Sequence, residues 1–334
     1  MILHPGILAL IIGSTCTLLM LCFAAFAGEI IQLKWNHSSS SEYQLILERR
    51  TYLISTLTHM ALGIQVISTL LFIYVIDDIH LLFTGAMCAT GSLNANPIGW
   101  YALVTKIFSF FVCGFWIVLN TIDQNSELYP LIKKKYRLLL GLLPLLIIDY
   151  VLQLSYFINL SPDIITSCCG SLFSTNTTST ISSISSLDPL VAIIYFSIVS
   201  ILFLAALIIK LSKDSLLPRY LISGLGVVYF FSAIISIIAF VSPYIYELPT
   251  HHCPFDMLQQ PYNFIGYPLY LTLFAGTFYA LLPGIFAPLH KNPSLREIVK
   301  HKERRWLYYS LIYITTFTII VCFAVSFSSL NYFV

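Results

Sequence analysis

The sequence predicts an all-α fold: a polytopic integral membrane helical bundle of eight transmembrane helices, with both termini on the external side. Three observations carry this reading. The 334 residues are 58% hydrophobic and only 10% charged, with mean hydropathy +0.85, where a soluble domain carries about 25% charged residues. A soluble fold of this size has nowhere to put so much apolar surface. The apolar residues fall into eight continuous runs, each near the roughly 20 residues that cross a bilayer. Every Lys and Arg except Lys106 lies in one of four alternating loops. The composition excludes soluble enzymes and disordered chains. A net charge of +2 with no basic arm excludes nucleic acid as a partner, and continuous rather than alternating apolar runs exclude a β-barrel.

The first run, 5–27, ends in Ala25-Phe26-Ala27, which resembles a signal-peptide cleavage site. It lacks the basic leading segment of such peptides and is read as a helix. The second, 52–76, contains His59 and Gln65, and the third, 100–121, contains Lys106. The fourth, 138–159, contains Pro144, Asp149 and Gln153. The fifth and sixth are 189–211 and 220–246. The seventh, 264–288, contains Gly266, Pro268, Gly276, Pro283 and Gly284. The eighth is 306–330. Loops 28–51, 122–137, 210–219 and 289–305 hold the basic residues and are placed in the cytoplasm. Segment 291–305 is charged enough to form an amphipathic helix on that surface. Loops 77–99, 160–188 and 247–263 contain no Lys or Arg and are placed outside. Residues 1–334 read as a single transmembrane domain without an internal repeat. The stretch 174–186 (STNTTSTISSISS) reads as a flexible external loop. Loop 85–99 reads as a compact or re-entrant cap, with Leu81, Leu82 and Phe83 dipping into the bundle.

The external loops carry six acids: Asp77, Asp78, Asp163, Asp188, Glu247 and Asp256. Their excess follows from the charge asymmetry itself. The cysteines say more. Cys16, Cys22, Cys113 and Cys322 lie within apolar runs, where cysteine serves as a small packing residue. The other four are external: Cys88 in GAMCATG, Cys168 and Cys169 in SCCG, and Cys253 in HHCPFD. Three chemistries fit them. Two disulfides would staple the loops, with Cys168 and Cys169 reaching Cys88 and Cys253. A metal site would use thiolate with imidazole, from Cys253, His251, His252 and His80, and would suit copper or zinc. Thiol–disulfide catalysis by Cys253, Cys88, Cys168 and Cys169 would use His251 and His252 to favour the Cys253 thiolate. No C-x-x-C supports the last two; Asp256 stands where the second cysteine of such a pair belongs. Haem b is a weaker fit, because His59 lacks an intramembrane partner at its depth and only His4, His80, His251 and His252 gather near the outer face.

Lys106 and Asp149 are ionisable residues within spans. Each alone costs on the order of 2.5–3.5 kcal/mol at the bilayer centre. Their helices are consecutive, so a Lys106–Asp149 pair is expected, with Gln153 one turn beyond Asp149 on the same face and Gln65 as a further polar group. No hydrolase, zinc-protease, phosphate-loop or dinucleotide motif occurs, which leaves open whether the chain is an enzyme. The leading expectation is a subunit or accessory factor of cell-envelope redox or metal chemistry, with an external Cys/His site. Its surroundings would be the lipid bilayer of the cell membrane (the inner membrane of a Gram-negative cell) and a membrane or envelope protein on the outer face. The alternatives are a transporter using Lys106, Asp149 and Gln153 as a polar path, and a structural anchor of a larger complex.

Overall fold

A computed structural model describes residues 2–35, 41–126, 129–161, 166, 187–212 and 218–330. Eight helices are long and apolar enough to cross a membrane, and the described residues contain no strand. The protein is a multi-pass, all-α membrane protein. The elements are α1 (Pro5–Lys34), α2 (Glu42–Asp78), the short α3 (Ala89–Asn94), α4 (Ile98–Gln124), α5 (Ile132–Ile158), α6 (Pro189–Ser212), α7 (Arg219–Ser236), α8 (Ser242–Tyr246), α9 (Gly266–Ile285) and α10 (Pro293–Phe327).

The helices outrun their apolar runs. α1 continues to Lys34, α2 begins at Glu42, α5 begins at Ile132, and α10 begins at Pro293. Segment 291–305 is therefore not a separate surface helix, because Pro293–Phe327 is one unbroken element. Local chemistry sets several starts. Ser41 Oγ accepts from the Gln44 amide at 3.4 Å, Asn96 Oδ1 from Ile98 at 2.9 Å and Asp188 Oδ1 from Leu190 at 2.9 Å, each satisfying an amide that the helix leaves over. Pro5 and Pro293 stand at first helical positions, where no amide donor is missed.

Where the sequence shows no boundary, packing groups the helices into two compact units: 1–84 with 92–166, and 85–91 with 167–334. In the first, α1, α2, α4 and α5 pack as a ring in chain order, α5 closing on α1. Leu21, Ala61, Cys113, Trp116, Tyr136 and Leu139 fill its core. Gly28 on α1 lies against the Tyr136 ring so closely that a β-carbon there would overlap it.

The second unit repeats the scheme with α6, α7, α9 and α10. Its core is aromatic. Phe196, Phe203, Tyr229, Phe240 and Phe317 are buried together, with the Phe203 and Tyr229 centroids 5.1 Å apart and those of Tyr229 and Phe317 6.2 Å apart. α9 and α10 approach closely at Gly276, whose carbonyl accepts from Ser310 Oγ at 2.9 Å. Between α7 and α8 the helix widens into one π turn, Ile237–Val241. α8 ends in the left-handed conformation of Glu247, φ 57°.

Large apolar side chains such as Phe23, Ile201, Phe231 and Ile319 are exposed along the spans and face lipid. In the segment before α3, Phe83 is buried but Leu81 is 79% exposed and Leu82 46%. Of the three residues expected to dip inward, only Phe83 does so.

Candidate functional site

The second unit includes the segment Gly85–Gly91. Gly85, at φ 86°, takes a turn that side-chain-bearing residues rarely adopt. This segment and the loop after α8 bring Cys88 and Cys253 together. Both are fully buried, and their sulfurs lie 3.4 Å apart, in contact rather than bonded. Asp256 joins them: the two sulfurs and a carboxylate oxygen lie within 4.8 Å of one another. Asp256 is 5% exposed, its Oδ1 has no hydrogen-bond partner, and its Oδ2 pairs with His251 Nε2. A buried carboxylate oxygen without a donor is costly unless something fills that role.

The loop is held rigidly around this cluster. The Phe255 amide donates to Cys253 Sγ at 3.4 Å, a bond that favours thiolate over thiol. Thr90 Oγ1 lies 3.4 Å from the same sulfur. Tyr246 donates its hydroxyl to the Cys253 carbonyl at 2.6 Å and accepts from the Met257 amide at 2.9 Å. Tyr270 donates to the Pro254 carbonyl at 2.6 Å. Gln259 Nε2 donates to the Met87 carbonyl at 2.7 Å, joining the two cysteine segments. Burial, and then the negative charge at Asp256 and Cys253, pushes the Tyr262 phenol above its usual range. That phenol stays neutral beside the cluster.

The histidines take supporting places rather than the ligand places expected of them. His252 is buried and its Nδ1 lies 2.9 Å from the Ile238 carbonyl of the π turn. A carbonyl only accepts, so Nδ1 carries the proton. His251 holds Asp256, as an outer partner holds a metal ligand. His80 belongs to the first unit and bonds the Asp77 carbonyl. Within the second unit the structure groups Cys253 with Cys88 and Asp256, with His251 joined to the group through Asp256. Cys168 and Cys169 lie outside the described residues, so the expected pairings with them have no structural account. The direct neighbour of Cys88 among the described cysteines is Cys253.

The first unit holds the buried charges. Lys106 Nζ lies 2.8 Å from Asp149 Oδ2 and 3.3 Å from Ser68 Oγ, while Gln65 Nε2 donates to the same Asp149 oxygen at 2.6 Å. Gln153 bonds Ser14 of α1 at 3.2 Å. The three polar residues thus form one ion pair, Lys106–Asp149, and one further contact, Gln153 to Ser14. A cavity of about 10 Å³, near the size of one water, lies among Ser14, Thr17, Gln65, Asp149 and Tyr150. Asp149 Oδ1 and Thr17 Oγ1 lack hydrogen-bond partners there.

Two further ionic clusters went unrecognised in the sequence because their lysines sit in basic loop runs. Lys135 is fully buried and pairs with Asp123 at 2.8 Å, with Asn120 Oδ1 at 3.2 Å. Glu303 pairs with Arg219 at 2.8 Å and His290 at 3.0 Å. The acids Asp123 and Glu127 ahead of Lys133–Lys135 were the available signal for the first. Compared with known protein families, with curated proteins and with solved structures, the chain matches none.

Proposed function

We propose that this membrane protein serves redox or metal chemistry at the cell envelope and holds a metal ion between Cys88, Cys253 and Asp256. The observation that carries the reading is the Asp256 carboxylate oxygen, buried, without a donor, and grouped with two sulfurs. The donors fit such an ion. Two sulfurs on one tetrahedral zinc stand about 3.8 Å apart, given Zn–S bonds of about 2.3 Å, and here they stand 3.4 Å apart. Two thiolates with one carboxylate suit zinc, a borderline ion, better than copper(I), which prefers sulfur alone. Bound there, the metal would supply a Lewis-acidic centre. Of the chain's own groups, the Phe255 amide steadies the Cys253 thiolate, His251 orients Asp256, and Tyr246 fixes the loop. The absence of Lys and Arg from these loops favours the external side of the membrane.

A second reading is thiol–disulfide exchange, favoured by the contact between the two sulfurs. One experiment separates them. Metal content is measured on the purified protein and on Cys253→Ser and Asp256→Asn, and thiols are alkylated before and after chelation and reduction. The metal reading expects about one equivalent of metal, lost in both variants, and thiols that react on chelation. Exchange expects no metal and thiols that react only after reduction. Metal-free protein with thiols reactive from the start overturns both.

A further inference from the structure

At one end of the second unit a cavity of about 360 Å³ opens between α6 and α10. Lys210, Lys300, Glu303 and Arg304 line it, with Leu211 and Leu307 as its apolar part. Lys300 and Arg304 are one turn apart on α10 and exposed, an arrangement that repels when nothing negative lies nearby. Among the described residues neither has an ion-pair partner. The carboxylate of Glu303 is engaged elsewhere: Oε2 is held by Arg219 at 2.8 Å and His290 at 3.0 Å, and Lys210 Nζ lies 4.0 Å from Oε1. Among the described residues that line the cavity, cations therefore outnumber acids. Glu303 Oε1 is buried and accepts no hydrogen bond.

The cavity sits where the membrane meets water. α10 is charged through Arg305 and apolar beyond it, and Trp306, Tyr308 and Tyr309 mark the change in the manner of an interfacial aromatic belt. Ile208, Ile209 and Ile312, nearby on α6 and α10, are exposed to lipid. A ligand here meets cations for an anion, an acceptor for a hydroxyl, and an apolar surface leading into the bilayer.

We infer that this cavity binds the headgroup of an anionic phospholipid, with the phosphodiester on Lys300, Arg304 and Lys210 and a headgroup hydroxyl donating to Glu303 Oε1. Phosphatidylglycerol has that chemistry. Free phosphate shares the anion but not the acyl chains.

The test is native mass spectrometry of the full chain released from detergent micelles supplied with phosphatidylglycerol or phosphatidylcholine. Selective retention of phosphatidylglycerol is expected. Juxtamembrane cations contribute about a five-fold factor each, so K300A/R304A should retain it roughly thirty-fold more weakly. R296A/R305A removes the same charge from exposed α10 positions that do not line the cavity and should stay within about two-fold. Equal loss in both variants would reduce the effect to general surface charge and overturn the site. Equal retention of phosphatidylcholine would overturn it as well. Displacement by inorganic phosphate at matched concentration would reassign the cavity to free phosphate.

Discussion

In the first unit the charge lies within the bundle: Lys106 and Asp149 face each other inside a ring of α1, α2, α4 and α5, with Gln65 and Ser68 each adding one bond. In the second unit the same ring arrangement encloses Phe196, Phe203, Tyr229 and Phe317, and the ion pairs among the described residues lie outside that aromatic core, around Glu303 and at His251–Asp256. The two interiors solve different problems. An ion pair in hydrocarbon needs polar partners around it, and Gln65 and Ser68 are committed to that task, while Asp149 Oδ1 faces a cavity near the size of one water. An aromatic interior gains from dispersion and shape, and it leaves the polar groups of its connecting loops available to hold Cys88, Cys253 and Asp256.

The contrast breaks most readily at Lys106. Lys106→Met leaves Asp149 buried without its cation and should cost about 3–5 kcal/mol in unfolding measured in detergent, whereas Lys106→Met with Asp149→Leu should recover most of the loss. A harmless single substitution would show that the pair is not holding the first unit. Phe317→Ala in the second unit should cost less, on the order of 2 kcal/mol. Lipid and core are equally apolar, so only the unfilled cavity counts. A loss as large as that at Lys106 would erase the distinction between the interiors. Gly28→Ala pushes a methyl into Tyr136 and should cost about 1–2 kcal/mol. Gly63→Ala, with nothing within 4 Å, serves as its control and should leave melting unchanged.

The smallest effect concerns Glu247. The Ser329 amide donates to its carboxylate at 3.0 Å and holds its pKa below the ordinary 4.5. A depressed carboxylate stabilises above its ordinary pKa and loses that contribution as pH falls through its folded value. Hydrogen exchange at Ser329 should therefore be slowed at neutral pH by more than intrinsic rates explain. That protection should fade below about pH 4.5 and be absent at every pH in Glu247→Gln. Protection that persists in the variant would separate this contact from the docking of the chain after α10.

The spans were legible because apolar length reports the solvent directly. Their ends were not. Glu42–Arg50, Lys133–Arg137 and Arg296–Arg305 are good helix formers whose charge looks like a loop to hydropathy alone. Lys106 and Asp149 stood out because a charge inside an apolar run has to be answered. Lys135 did not, since a buried lysine next to the exposed Lys133 and Lys134 carries no mark in the sequence; nor did Lys210, which stands at the end of an apolar run and reads as the start of a basic loop. The thiol cluster was half legible. Cys253 and the oddly placed Asp256 were visible in HHCPFD, but which cysteine meets Cys253 depends on how loops far apart in the chain converge, and four cysteines alone allow three pairings.

The π turn at Ile237–Val241 bears on that cluster in a way that concerns chain length. A π turn is a helix carrying one residue more than its α path requires, and each residue advances an α-helix by about 100°. The wider turn advances less per residue, so it absorbs the extra one and the helix beyond it keeps nearly the phase of the helix before it. Removing Ala239 would restore the regular helix with α8 and Tyr246 nearly in place. The change would fall on the Ile238 carbonyl, which the π turn presents to His252 Nδ1 and which a regular ladder would take back. A surplus residue in the bilayer thus supplies an acceptor to the loop, and its deletion should loosen His252 before it disturbs Tyr246.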